Sequence, residues 1–130
     1  MSSVRLDHVS TLYPEGGGVR DFSVEIADGE FFAFLGQSGC GKTTTAINLA
    51  AALGLNKKKG LLIDLDAQAH ASLGLDIESQ DSLYNVISKL TPRKLRIENI
   101  IHRVEDTFDI APSNILVGTL EQELADEIGR

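Results

Sequence analysis

Around residues 36–43 the spacing of apolar residues changes abruptly, and this change limits the possible folds more than any other feature of the sequence. Residues 31–35 form an unbroken apolar run, which is typical of a strand covered on both faces. Three glycines follow within six positions, and from Lys42 onward the apolar residues recur at helical spacing, at Ala46, Leu49, Ala50 and Leu53. A buried strand, a glycine-rich loop and a helix in this order predict the start of a β-loop-α-β unit.

The loop matches the pattern G-x-x-x-x-G-K-[S/T], with Gly36, Gly41, Lys42 and Thr43 at the specified positions. Glycines allow successive backbone N–H groups to point at phosphate oxygens, and the start of the following helix adds the positive end of its dipole. Lys42 would bring a positive charge to the β and γ phosphates, and Thr43 would offer its hydroxyl to Mg²⁺. The loop therefore predicts binding of a nucleoside triphosphate through Gly36, Ser38, Gly39, Cys40, Gly41, Lys42, Thr43 and Thr44.

A glycine-rich turn without a ligand is the competing interpretation of this loop. Because glycine makes up about 7% of average sequence, a chance match in a chain of this length is roughly a 1% event or rarer. Cys40 is better explained as a small side chain that fills a gap than as a redox or metal-binding group. The flanking strand and helix favour the phosphate-binding interpretation.

A second buried strand is predicted at residues 60–65, where two carboxylates, Asp64 and Asp66, mark its end. Ligands of parallel sheets bind at the carboxyl ends of the strands, and these two side chains belong to that end. Either carboxylate could hold Mg²⁺ through water or orient an attacking water molecule. The alternative is that both only cap the next segment.

The rest of the chain predicts a mixed α/β architecture. Phe22, Val24 and Ile26 alternate with polar residues and predict a half-buried strand, which follows a weaker strand near Val4. The later pattern predicts a helix capped by Ser82 and reaching Leu90, a strand at residues 108–111 and a final helix at residues 116–128. Gly54 is expected to end the first helix. The predicted class is α/β, a three-layer P-loop NTPase sandwich with a parallel core sheet flanked by helices and an N-terminal antiparallel β flap.

The amino-acid composition argues against several classes of protein. The 130 residues predict one domain, and 42% hydrophobic with 24% charged residues argue against disorder. The net charge of −7 gives no general attraction to nucleic acid or anionic lipid, and the lysines at residues 57–59 are expected in a solvated turn. No charge-free stretch is long enough for a bilayer span, and one cysteine fits a reducing, cytoplasmic setting. His8, His70 and His102 lack metal-ligand spacing and are expected to be ordinary surface or core residues.

Residues 4–45 resemble the start of an ABC transporter ATPase. The segments that carry the resemblance are VRLDHVSTLYP and VRDFSVEIADGEFFAFLGQSGCGKTTT. In that family an aromatic residue after the first strand stacks on adenine, and Tyr13 matches it. The resemblance therefore implies ATP as the nucleotide.

Residues 41–130 are similar to the chromosome and plasmid partition ATPases of the ParA, Soj and MinD group. The matching segments are GKTTTAINLAAALGLNKKKGLLIDLDAQAHASLGL and FDIAPSNILVGTLEQELADEIGR. The family's D-x-D-x-Q segment matches Asp64, Asp66 and Gln68, and its second aspartate helps to position the attacking water. The resemblance implies this catalytic role for Asp66, beside Lys42 at the phosphates.

The sequence also differs from the motifs of both families. Gln37 replaces the signature lysine that partition ATPases carry early in the loop, so dimerisation through that lysine is not expected. The chain ends before the segment that would hold the Walker B aspartate, and the later ABC motifs are absent. We therefore expect a single domain over residues 1–130 that combines an ABC-like β segment at 1–35, a shared loop at 36–45 and a partition-like segment at 46–130, as an engineered or recombined chimera would.

Three functional interpretations remain open at this point. The first is ATP binding with Mg²⁺ and weak hydrolysis, and the second is a nucleotide-binding module without efficient turnover. The third is a structural hybrid in which nucleotide binding is incidental. A shortened parallel sheet would also leave an edge strand unpaired, which predicts either self-association or closure of that edge by the flap. No clear nucleic-acid surface is expected.

Overall fold

A computed structural model of the protein describes residues 3–12, 14, 16, 18–27, 29 and 41–128. The contacts divide the chain into two compact units, Met1–Ala46 and Ile47–Arg130. The strand predicted at residues 31–35 lies outside the described residues, as do Tyr13, Gly36, Ser38, Gly39 and Cys40 among the predicted nucleotide contacts.

The first unit contains an antiparallel hairpin of β1 (Val4–Leu12) and β2 (Gly18–Ile26). The register pairs Val4 with Ile26 and Leu12 with Gly18, with two irregularities in β1 around Val9. The predicted alternation in β2 is confirmed at residues 22–26, where Phe22 and Val24 are half-buried, Ile26 is buried and the two polar residues between them are exposed. The N-terminal antiparallel β flap is therefore present.

Helix α1 (Lys42–Leu55) crosses from the first unit into the second. The prediction that Gly54 ends it is wrong, because the helix continues to Leu55 and the chain turns at Lys57, which adopts φ +60°. The N–H of Lys58 then bonds to the Leu53 carbonyl at 2.9 Å, as in a Schellman ending. Gly54 serves packing instead, since a Cβ there would lie 2.3 Å from the backbone oxygen of Thr107.

The second unit is built on a three-stranded sheet of order β3-β5-β4. Strand β3 (Leu61–Ile63) pairs in parallel with β5 (Phe108–Ala111), and β4 (His102–Val104) pairs with β5 in antiparallel orientation. The predicted α/β class with a parallel core pairing is confirmed, and strand β5 has the predicted bounds. Strand β4 was not predicted.

Three further helices belong to this unit: α2 (His70–Gly74), α3 (Leu83–Ile87) and α4 (Leu120–Ile128). Ser82 caps α3 as predicted, because its hydroxyl accepts the N–H of Tyr84 at 3.2 Å. The predicted extension to Leu90 is wrong, because α3 ends at Ile87. At this end the Lys94 ammonium bonds to the carbonyls of Ile87 and Ser88. Short 3₁₀ helices occur at Ile97–Asn99 and Ile115–Thr119, so the helix predicted from residue 116 becomes α-helical only at Leu120.

The core of this unit lies around β5, where Phe108 and Ile110 are fully buried. One face of the core is a cluster of Leu83, Ile100, Ala111, Val117 and Leu120. Among the described residues, no helix is both long and apolar enough to cross a membrane.

Candidate functional site

The structure describes the end of the predicted phosphate loop, from Gly41 into the start of helix α1. Gly41 has φ +90°, a backbone conformation that residues with a side chain rarely adopt. Its carbonyl accepts the N–H of Thr45 at 3.0 Å and the Thr45 hydroxyl at 2.8 Å. Lys42, Thr43 and Thr44 are half-buried in the first helical turn, and that turn contains no acidic side chain. The positive end of the helix dipole is thus not countered by a carboxylate of the same turn.

Asp64 directly follows β3 and is almost completely buried, with 4% of its surface exposed. Its N–H continues the parallel ladder by bonding to the Ala111 carbonyl at 3.1 Å. Its carboxylate oxygen Oδ2 accepts both the N–H and the hydroxyl of Ser72, at 2.9 and 2.7 Å. Oδ1 accepts the N–H of Asp66 at 3.1 Å. Three hydrogen bonds from protein donors therefore compensate the burial of this charge.

Two buried serines extend this arrangement to the end of β5. The Ser72 hydroxyl oxygen accepts the N–H of Ser113 at 3.1 Å, and the Ser113 hydroxyl bonds to the Asp66 carbonyl at 2.5 Å. No buried side-chain nitrogen or oxygen of the described residues lacks a partner. The carboxyl ends of the two parallel strands are therefore linked through the loop that carries both aspartates.

Asp66 occupies a different environment in the same loop, because 39% of its side chain is exposed. Its Oδ1 accepts the N–H of Gln68 at 3.0 Å, and its Oδ2 accepts the N–H of His70 at 3.4 Å. The Nδ1 atom of the His70 ring contacts the same Oδ2. Burial raises the pKa of Asp66, but these hydrogen bonds outweigh burial and hold the pKa below its ordinary value. Asp66 is therefore ionised at neutral pH.

His70 is the residue of this loop that sequence reasoning missed. It is an exposed histidine, as expected, and it also begins α2 and contacts Asp66, which was not predicted. The preceding Ala69 has φ +53°, a left-handed conformation that is uncommon for alanine and that winds the loop tightly. The i, i+4 spacing of Asp66 and His70 at the start of a helix was the available signal.

An open cleft of about 300 Å³ lies beside the Asp66 loop. Its walls include Gln68 and Ser113, together with the apolar side chains of Leu73, Ile77 and Ile115. Among the described residues, no group of three or more histidine, cysteine, aspartate or glutamate side chains is arranged to hold a metal ion.

Known families match this chain over most of its length. A model of the AAA domain family matches residues 32–130. The trehalose import ATP-binding protein SugC of Mycobacterium tuberculosis is 36% identical over 123 residues, which cover 85% of this chain and 31% of SugC. The sporulation initiation inhibitor protein Soj of Bacillus subtilis is 36% identical over 103 residues, which cover 78% of this chain and 41% of Soj.

The predicted resemblance to both ATPase families is thereby confirmed. The match to SugC covers 85% of the chain and so extends beyond residues 4–45. The chain spans about a third of the length of the curated relatives that it matches.

A solved structure supports the fold as well. Cobyrinic acid a,c-diamide synthase from Mycobacterium smegmatis, with bound ADP and magnesium, aligns with a TM-score of 0.62 and 25% identity. The alignment covers 68% of this chain and 36% of the synthase.

Proposed function

Because this chain belongs to the AAA domain family, we propose that it binds ATP with Mg²⁺ through residues 36–44. The observation that carries the proposal is the start of α1, where Gly41 has φ +90° and Lys42 and Thr43 occupy the first turn. A glycine in this conformation before a helix whose first turn has no acidic side chain suits a bound anion. The ADP, the ATP analogue and the magnesium bound to the M. smegmatis synthase support the same ligand class.

Each predicted contact has a distinct role in this proposal. Gly36, Gly39 and Gly41 bring backbone N–H groups to the phosphates, and Ser38, Cys40 and Thr44 belong to the same loop. Lys42 neutralises charge on the β and γ phosphates, and the ring of Tyr13 stacks on adenine. The roles of Lys42 and Tyr13 rest on the motif and on the resemblance to ABC ATPases.

Mg²⁺ usually keeps several waters and binds through one or two protein oxygens plus substrate phosphates. The Thr43 hydroxyl and the half-exposed Asp66 carboxylate are donors of this kind. Asp64 is less open to a metal than Asp66, because only 4% of its surface is exposed, although each carboxylate accepts three hydrogen bonds within the loop. We propose Thr43 as a direct Mg²⁺ contact, with Asp64 and Asp66 reaching the ion only through water.

We further propose that ATP is hydrolysed slowly. Phosphoryl transfer needs positioning of a water molecule and neutralisation of developing charge. Lys42 and Mg²⁺ would supply the charge, and Asp66, ionised at neutral pH, would orient the water. A nucleotide-binding module without turnover is the second candidate, because both Asp66 oxygens already accept hydrogen bonds inside their own loop.

Phosphate release from ATP tests the hydrolysis. We expect slow release by the parent, loss of release in Lys42→Ala and Asp66→Ala, and parental release in the control Lys57→Ala, which changes an exposed lysine outside the loop. ATP binding without release would favour the second candidate. Equal release by Lys42→Ala and the parent would contradict the proposed phosphate site, and no binding by a folded parent would favour an incidental loop in a structural hybrid.

Self-association through β3 is part of the proposal. Within the described residues β3 pairs with β5 alone, and the proposed site of self-association is the other edge of this strand, where Leu61 is 45% exposed. Light scattering should show dimers in the parent and monomers in Leu61→Lys, whereas a monomeric parent would contradict this step.

We place the protein in the cytoplasm, because one cysteine in 130 residues is typical of chains folded in a reducing compartment.

A further inference from the structure

His70 lies one helical turn after Asp66 and presents its ring nitrogen Nδ1 to the Asp66 carboxylate. An ionised carboxylate can only accept hydrogen bonds, so Nδ1 carries the proton and donates it to Oδ2. In the neutral ring this leaves Nε2 unprotonated, and 60% of the His70 side chain is exposed. The contact thus selects one tautomer of a solvent-accessible histidine.

Two backbone donors join the His70 ring at the same carboxylate. The Asp66 carbonyl accepts the N–H of Ala69 at 2.8 Å, and the left-handed Ala69 then places the backbone N–H of His70 toward Oδ2. The N–H of Gln68 bonds to the other oxygen, Oδ1. With two donors on Oδ2 and one on Oδ1, rotation of the carboxylate is restrained and Oδ1 retains acceptor capacity.

The loop is also held by hydrogen bonds that do not involve this pair. Buried hydrogen bonds from Ser72 to Asp64 and from Ser113 to Ser72 already attach the loop to α2 and to the end of β5. An exposed contact such as that of His70 with Asp66 adds little stability by comparison. Its clearest physical effect is on the orientation of the Asp66 carboxylate.

We propose that His70 is a positioning residue for hydrolysis and holds Asp66 so that Oδ1 can accept a hydrogen bond from the attacking water. The inference rests on the proposed ATPase function. In the step, the water oxygen bonds to the γ-phosphorus while the bond from phosphorus to the β,γ-bridging oxygen breaks. The products are ADP, inorganic phosphate and a proton released to solvent, and His70 keeps its proton throughout.

The kinetic test compares His70→Leu, His70→Asn and the matched control His8→Leu. Asparagine can donate from nearly the same place as Nδ1, whereas leucine cannot, and His8 is an exposed histidine that contacts Asp21 in the hairpin. We expect His70→Leu to lower kcat about tenfold with KM within about twofold of the parent, because a misplaced reacting group costs rate rather than binding. His70→Asn should recover most of kcat, and His8→Leu should match the parent.

A second readout is independent of turnover. In nitrogen NMR spectra recorded well above the titration range of histidine, His70 should carry its proton on Nδ1 in the parent and in Lys42→Ala. In Asp66→Ala the ring should return to the Nε2–H form that free histidine prefers.

The outcomes distinguish a failure of the positioning role from a failure of the proposed ATPase function. Parental kcat in His70→Leu, while Asp66→Ala is inactive, would overturn the positioning role and leave the ATPase intact. The same tautomer in the parent and in Asp66→Ala would also overturn it. A parent that releases no more phosphate than Lys42→Ala would overturn the ATPase and this inference together.

Discussion

Asp64 and Asp66 are two residues apart in one loop, yet their surroundings differ in almost every respect. Asp64 is nearly inaccessible and receives three hydrogen bonds, two of them from the buried Ser72. Asp66 is partly exposed, and its donors come from its own turn and from His70. A buried carboxylate with fixed partners stabilises the fold, whereas an ionised carboxylate at the surface is available to a ligand. Burial and partners, rather than residue type, separate the two roles.

Removal of the Asp64 carboxylate should change the stability of the protein more than any other substitution proposed here. Asp64→Ala leaves the Ser72 N–H and hydroxyl and the Asp66 N–H without their acceptor, which should lower the free energy of unfolding by about 3 kcal/mol. Asp66→Ala should cost less than about 1 kcal/mol, because water can solvate the donors of an exposed group. Urea unfolding of both variants measures the difference. Equal losses would remove the distinction between the two aspartates.

Part of this loop was predictable from the sequence. The two aspartates at the end of β3 were identified, because an apolar strand followed by carboxylates is a local pattern. The difference in their surroundings was not predictable, since it depends on Ser72 and Ser113, which the fold brings to the loop from α2 and from the end of β5. Long-range hydrogen bonds of this kind have no sequence period.

The difference between local and long-range contacts also explains which predictions of the fold were wrong. Ser82 was identified as a cap because capping is a local contact within one turn. Gly54 was misread because glycine is common both after helices and at close packing contacts, and only the position of Thr107 decides between them. Strand β4 was missed because its three residues, His102–Val104, are recognisable only through pairing with β5.

A smaller effect is expected on the pH dependence of folding stability. The folded-state pKa of Asp66 lies below its unfolded value, so the group contributes stability above the unfolded pKa and loses it as the pH falls through the folded pKa. Between about pH 5 and pH 2 the parent should therefore lose slightly more stability than Asp66→Asn, by less than about 1 kcal/mol because the site is exposed. Urea midpoints of both proteins across this range provide the comparison. A larger loss in Asp66→Asn would reverse the assigned direction.

The affinity for ATP is the most direct measure of the proposed phosphate site. Calorimetric titration of ATP with Mg²⁺ into the parent, Lys42→Ala and the control Lys57→Ala would measure whether the segment around Lys42 holds phosphate. We predict binding by the parent and by Lys57→Ala, and at least about a tenfold loss in Lys42→Ala, since one charge-assisted contact is worth about 1.5–3 kcal/mol. Equal affinity of Lys42→Ala and the parent, or no binding by a folded parent, would contradict the account.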